Sequence, residues 1–175
     1  MEYLVYRSPE YARKILLDFI LNDDTGKEVI EDPTKSTTNI SKSNWQSDVN
    51  PSLIEFANLF ENYYFGDYAN FLYDNIKVKF DWTNVWYQVY EPNSNSSHDF
   101  HNHSPGTSIS NIFYIELKSQ EIMTEFQEND GSISKPSIRE GDTLIFDPQQ
   151  YHRSPPNNTS DRKIIVSFNV SILTF

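Results

Sequence analysis

The chain has 175 residues, a formal net charge of −11, 37% hydrophobic and 15% aromatic residues, and no cysteine. That length suits a single domain with a sizeable core, and the acidity argues against a broad phosphate-binding surface, so nucleic acid is not an expected partner. The lack of thiols excludes disulfides, thiolate catalysis and zinc-finger-type sites.

The opening MEYLVYRSPEYARK contains no apolar signal-like run, and no stretch approaches the length of a membrane span. A soluble cytoplasmic protein without a membrane partner is expected. Ser8-Pro9 reads as a helix cap followed by a first-turn proline. Tyr11, Ile15, Leu16, Phe19 and Ile20 then form one stripe, ended by Asn22-Asp23-Asp24. Residues 26–50, rich in Thr, Ser, Asn and Asp, read as an ordered loop or lid. Asn50-Pro51 starts a second helix in which Leu53, Phe56, Ala57, Phe60 and Tyr63 keep the helical period until Gly66, with a shorter helical piece over 68–75.

From residue 76 the period changes. IKVKFDW and NVWYQVYE read as strands, followed by ISNIFYIEL, an acidic piece over 121–130 with a turn at Asp130-Gly131, the run GDTLIFDP, and the closing KIIVSFNVSILTF. Pro92, Pro105-Gly106, Gly141, Pro148 and Pro155-Pro156 punctuate these segments. The expected fold is α+β or mainly β: one domain in which residues 1–75 supply helical support and residues 76–175 a barrel carrying the site. Trp82, Trp86, Phe113 and Phe146 are assigned to packing.

Three of the four histidines fall within HDFHNHS, residues 98–104. In extended backbone, residues two apart share a face, which would put Asp99, His101 and His103 in one row. The fourth histidine, His152, follows the strand-like GDTLIFDP. A pair on one strand plus a donor from another can make a three-ligand metal site with open positions. The competing reading is that the pair, in a polar loop, is simply solvated. No glycine-rich phosphate loop or G-x-S-x-G elbow offers rival chemistry.

The string EGDTLIFDPQQYHRSPPNNTSDRKIIVSFN resembles the C-terminal part of the 2-oxoglutarate- and Fe(II)-dependent oxygenases, in particular short members common in marine phages and bacteria. Gly141-Asp142, His152 and Arg162-Lys163 stand where that family has a strand-opening turn, a metal histidine and a basic residue. WYQVYEP, HNH and SISNIFYIEL resemble earlier strands, and SKSNWQSD over 41–48 resembles the N-terminal part. The match is good over 86–170 and loose before.

The resemblance implies a double-stranded β-helix, a cupin-like jelly-roll barrel, with Fe(II), 2-oxoglutarate and O2 as cofactor and cosubstrates, and hydroxylation of a small molecule or a protein side chain. It carries the metal role to His101, His103 and His152. The family's H-x-[DE] carboxylate is missing, which leaves three readings: three histidines serve, Asp99 supplies the carboxylate, or the site has decayed. Either Lys163 or Arg162 would anchor oxoglutarate, since strand neighbours alternate; counting back from SFN favours Lys163, counting forward from His152 favours Arg162. Tyr90 and Gln88 share a face and would contact the cosubstrate, the competing reading being that Tyr90 is an ordinary barrel-wall aromatic. The alternatives are a three-histidine dioxygenase that needs no oxoglutarate and a non-catalytic barrel that binds a ligand or a protein.

Overall fold

The computed structural model describes residues 3–31, 38–45, 51–103 and 106–173. The Asn50 cap, the Pro105 turn and parts of the expected lid (32–37 and 46–50) lie outside the described residues.

Strand β1 (Leu4–Arg7) leads into helix α1 (Glu10–Asn22). Ser8 does not cap this helix; its hydroxyl shares a 2.9 Å hydrogen bond with Thr143. The buried row is Ala12, Leu16 and Ile20, while Tyr11 turns outward and donates to Asp67 at 2.7 Å. Strands β2 (Lys27–Ile30) and β3 (Asn39–Ser43) follow, so part of the expected loop is a pair of strands.

Helix α2 (Pro51–Phe60) does not stop at Gly66. It passes through a π turn at Glu61–Phe65 into α3 (Gly66–Ile76), with Gly66 in ordinary right-handed helical backbone. The end comes at Lys77, whose left-handed conformation (φ 61°) lets its N–H donate to the Tyr73 carbonyl at 2.8 Å. Phe56, Phe60, Tyr64, Tyr68 and Leu72 are buried at a strict spacing of four. An α-helix would carry such a row off its face by about 40° per step. The wide π turn absorbs that drift, leaving Tyr64 inside and Tyr63 outside.

The barrel strands are β4 (Phe80–Tyr90), β5 (His98–His101), β6 (Ile109–Leu117), β7 (Glu125–Gln127), β8 (Ile133–Ser134), β9 (Asp142–Phe146), β10 (His152–Ser154) and β11 (Lys163–Ile172). The two runs either side of residue 83 form one strand, β4, because its whole length pairs with β11. A seven-stranded antiparallel sheet has the order β1-β9-β6-β11-β4-β3-β2, and a four-stranded one the order β5-β10-β7-β8.

Strand alternation divides the core in two. Val85, Tyr87, Val89, Phe113, Ile164, Val166 and Phe168 pack with the helices, including Phe56, Phe60 and Tyr64. On the opposite face, Tyr90, Ile112, Tyr114, Leu144, Phe146 and Ile165 pack with Ile122, Met123 and Phe126 beneath the smaller sheet. Central strands covered on both sides explain why β11 is buried from Lys163 to Val170. Each fully buried aromatic contributes roughly 1.5–3 kcal/mol relative to exposure. The result is mainly β, a jelly-roll of two facing sheets with helices on the outer face of the larger one. Among the described residues no helix is long and apolar enough to cross a membrane.

Candidate active site

His152 opens β10 and lies directly opposite His101, the last residue of β5. Between this pair and the next, Ser154 opposite His98, β5 uses one residue more than β10. That bulge brings His98 and His101 to one face, where regular alternation would separate them. Their rings stack with centroids 4.0 Å apart. His103 lies just past the strand. Its N–H donates to the Pro148 carbonyl at 2.8 Å, and its carbonyl accepts from Gln149 Nε2 at 3.0 Å. The DPQQ turn, closed by Gln150 N–H on Asp147 O at 2.9 Å, thus fixes His103 beside the His152 that follows it.

The nitrogens of His101, His103 and His152 lie within 4.8 Å of one another. His101 Nδ1 is 2.8 Å from the Asp99 carbonyl, and His152 Nδ1 is 2.9 Å from that of Gln150. A carbonyl only accepts, so each Nδ1 carries the proton and each Nε2 keeps its lone pair, the arrangement that second-shell bonds impose on metal-binding histidines. Burial makes protonation unfavourable throughout. It lowers His101, takes His152 well below the ordinary value, and with help from neighbouring imidazoles holds His103 at about 4 and His98 at about 3. At neutral pH the cluster is an uncharged donor set.

Asp99 is not among the converging donors. Its carboxylate accepts from the Phe100 N–H at 3.0 Å and lines the open cleft. Lys163 and Arg162 separate as strand neighbours must. Arg162 bonds Glu116 at 2.9 Å on the outer side, while Lys163 is wholly buried beneath the imidazoles' side of the sheet. Its ammonium donates to Ile122 O at 2.7 Å and to Ser154 Oγ, and lies 4.3 Å from the Tyr90 ring centroid. Among the described residues no carboxylate reaches ion-pair distance of it, and burial lowers its pKa to about 7.

Tyr90 is also fully buried, and its hydroxyl, near Ser154, has no hydrogen-bond partner among the described residues. Gln88 is engaged elsewhere: its Nε2 lies 3.3 Å from His98 Nδ1, and its Oε1 accepts from Ser167 at 3.2 Å.

Tyr90, Ser154, Thr124, Ile112, Ile165 and His152 border a cavity of about 20 Å³ below the cluster. Above it opens a cleft of about 580 Å³, walled in part by Trp45 and Trp86. Trp86 therefore fronts the site as well as packing. Trp82 does sit against the helices, its indole N–H bonded to Glu61, and Phe146 packs on His152 at 4.8 Å. Sequence reasoning did not single out His98, Ser154 or Trp86 for the site. His98 was visible within HDFHNH, but only the bulge aims it.

No family model matches the sequence, and no curated protein does. Solved structures do. A 2OG-Fe(II) oxygenase family oxidoreductase from Burkholderia pseudomallei aligns with TM-score 0.71 and 10% identity over 97% of this chain and 85% of its own. The viral collagen prolyl hydroxylase of Paramecium Bursaria Chlorella virus-1, in its 2OG complex, gives 0.60 and 14% over 97% and 96%. A Trichoplax adhaerens prolyl hydroxylase, in complex with a hypoxia inducible factor peptide fragment, gives 0.62 and 14% over 95% and 82%. This chain has the fold of the 2-oxoglutarate- and Fe(II)-dependent oxygenases.

Proposed function

We propose that the protein is an Fe(II)- and 2-oxoglutarate-dependent oxygenase, a hydroxylase by default, with His101, His103 and His152 holding the iron. The observation that carries this reading is the pairing of three convergent neutral imidazoles with a buried ammonium that, among the described residues, has no carboxylate at ion-pair distance, Glu125 acting on it only from farther off. A buried cation without a direct carboxylate partner, beside a hydroxyl with no hydrogen-bond partner among the described residues, is costly in a dry interior unless an anion joins them. The distal carboxylate of oxoglutarate fits Lys163, Ser154 and Tyr90 in that role; binding would widen the narrow cavity there.

Bound iron and cosubstrate supply the oxidising chemistry. The chain's own contributions are to fix the imidazole tautomers through the Asp99 and Gln150 carbonyls, to exclude water with Phe146, Tyr90 and Ile165, and to present the open cleft to a small molecule or a protein side chain. The β2–β3 pair, lining that cleft through Val29 and Ile40, is the wall that could close on a substrate.

Anaerobic addition of Fe(II) and oxoglutarate should give a weak visible charge-transfer band, and oxygen should then release succinate. Absence of both results rejects the assignment. The lack of a carboxylate ligand favours one second reading, a three-histidine dioxygenase that needs no oxoglutarate. Substrate oxidation without succinate would select it.

A further inference from the structure

Resting on the oxygenase reading, the open cleft adds a statement about what enters it. Trp45, half exposed at 50%, meets Trp86 edge-on with ring centroids 4.5 Å apart, and the two indoles form one wall. Trp86 in turn lies over His103, centroids 6.5 Å apart, so the wall runs down to the imidazole cluster. Glu31 and Asp99 border the same cleft, with His101 and His103. Among its described lining residues there is no Lys or Arg. The Arg153 guanidinium pairs with Glu125 at 2.7 Å and covers the Phe100 ring at 4.6 Å, so that ring is already taken.

We infer that this cleft selects a substrate by a positively charged alkyl-ammonium group of the lysine type, held against the indole wall with its charge toward Glu31 and Asp99. Indole faces attract cations, and a cleft with low-dielectric walls focuses the carboxylate field onto an entering ligand. The net charge of −11 draws the same class of molecule from a distance. A volume of about 580 Å³ admits an extended lysine-sized side chain with part of its backbone. Among the described lining residues an anionic substrate would meet two carboxylates and no Lys or Arg.

The test uses the full chain at low ionic strength and reads indole fluorescence. Nα-acetyl-lysine amide, its Nε-acetyl derivative and Nα-acetyl-glutamate amide are titrated in turn. The lysine probe should quench emission and bind roughly tenfold or more tighter than either of the others, with Glu31→Gln removing several-fold of that preference and added salt weakening it. Trp82, held against Glu61 on the helix side, supplies emission that the probes should not change, and circular dichroism of the variant checks its fold. Free L-lysine and an unstructured lysine-bearing peptide form two further arms, and the tighter one names the source. Equal or tighter binding of the neutral or acidic probe, or no response to the lysine probe, overturns the inference. Binding here needs neither iron nor oxoglutarate, so failure leaves the charge-transfer titration untouched, and failure of that titration leaves this result standing.

Discussion

His152 and His101 face each other across the β5–β10 ladder with ring centroids 4.2 Å apart, each imidazole Nδ1 at a backbone carbonyl two residues upstream. Two donors are thus set by backbone geometry, and the third, His103, by the turn preceding β10.

If these three form the metal site, Ala at 101, 103 or 152 should each weaken Mn(II) binding by roughly 100-fold or more, measured by calorimetry or electron paramagnetic resonance. Asp99→Ala should change it by less than about threefold. A loss at Asp99→Ala equal to that of the histidine variants would restore the carboxylate as a ligand.

The depressed imidazoles predict how metal-free protein responds to acid. In the unfolded chain these histidines take up protons as the pH drops below 6.5, whereas in the fold His103 resists until about 4. Stability is therefore fully present above 6.5 and falls as the pH is lowered toward 4. Saturating Mn(II) should steepen that loss, since protons then compete with the ion. Denaturant midpoints measured across this range, with and without Mn(II), check both statements.

Lys163 predicts the opposite behaviour for fold and ligand. Its pKa, about 7 in the fold against 10.5 ordinarily, means that stability is lost as the pH falls from 10.5 to 7, by up to about 1.4 kcal/mol per unit. Oxoglutarate binding should instead weaken as the pH rises above about 7, because the carboxylate needs the charged ammonium. Lys163→Met should raise the melting temperature and abolish oxoglutarate binding, whereas Arg162→Ala, which breaks only the Glu116 pair, should leave that binding intact.

Tyr90→Phe deletes a buried hydroxyl that has no hydrogen-bond partner among the described residues, so the variant should be as stable as the parent or more so by about 1 kcal/mol. Its oxoglutarate affinity should nonetheless fall several-fold. Unchanged affinity would remove Tyr90 from the cosubstrate pocket.

Away from the site, Asp23 ties α1 to α2 and β4. Burial opposes its charge, but hydrogen bonds from Ser52, Tyr87 and Thr25 outweigh burial and hold it at about 2. Its contribution is present above pH 3.8 and lost as the pH falls toward 2. Asp23→Asn should cost roughly 1.5–3 kcal/mol at pH 7 in denaturant unfolding, with the difference shrinking only below pH 4.

Sequence by itself determined the helices, the long strands and the clustering of chemistry around 98–103 and 152, because hydrophobic period and residue type are local properties. It did not disclose β1, β2 or β3. These short segments become strands only by pairing with neighbours already in the sheet, as Leu4–Arg7 does with Asp142–Ile145. Nor could spacing tell which of Lys163 and Arg162 faces inward, or show His98 stacked on His101. The first required the register of β11 against β4, which puts Lys163 opposite Tyr90, and the second a bulge in β5. Both are decided by partner strands far away in the chain, and a one-residue change in register turns every side chain to the other face.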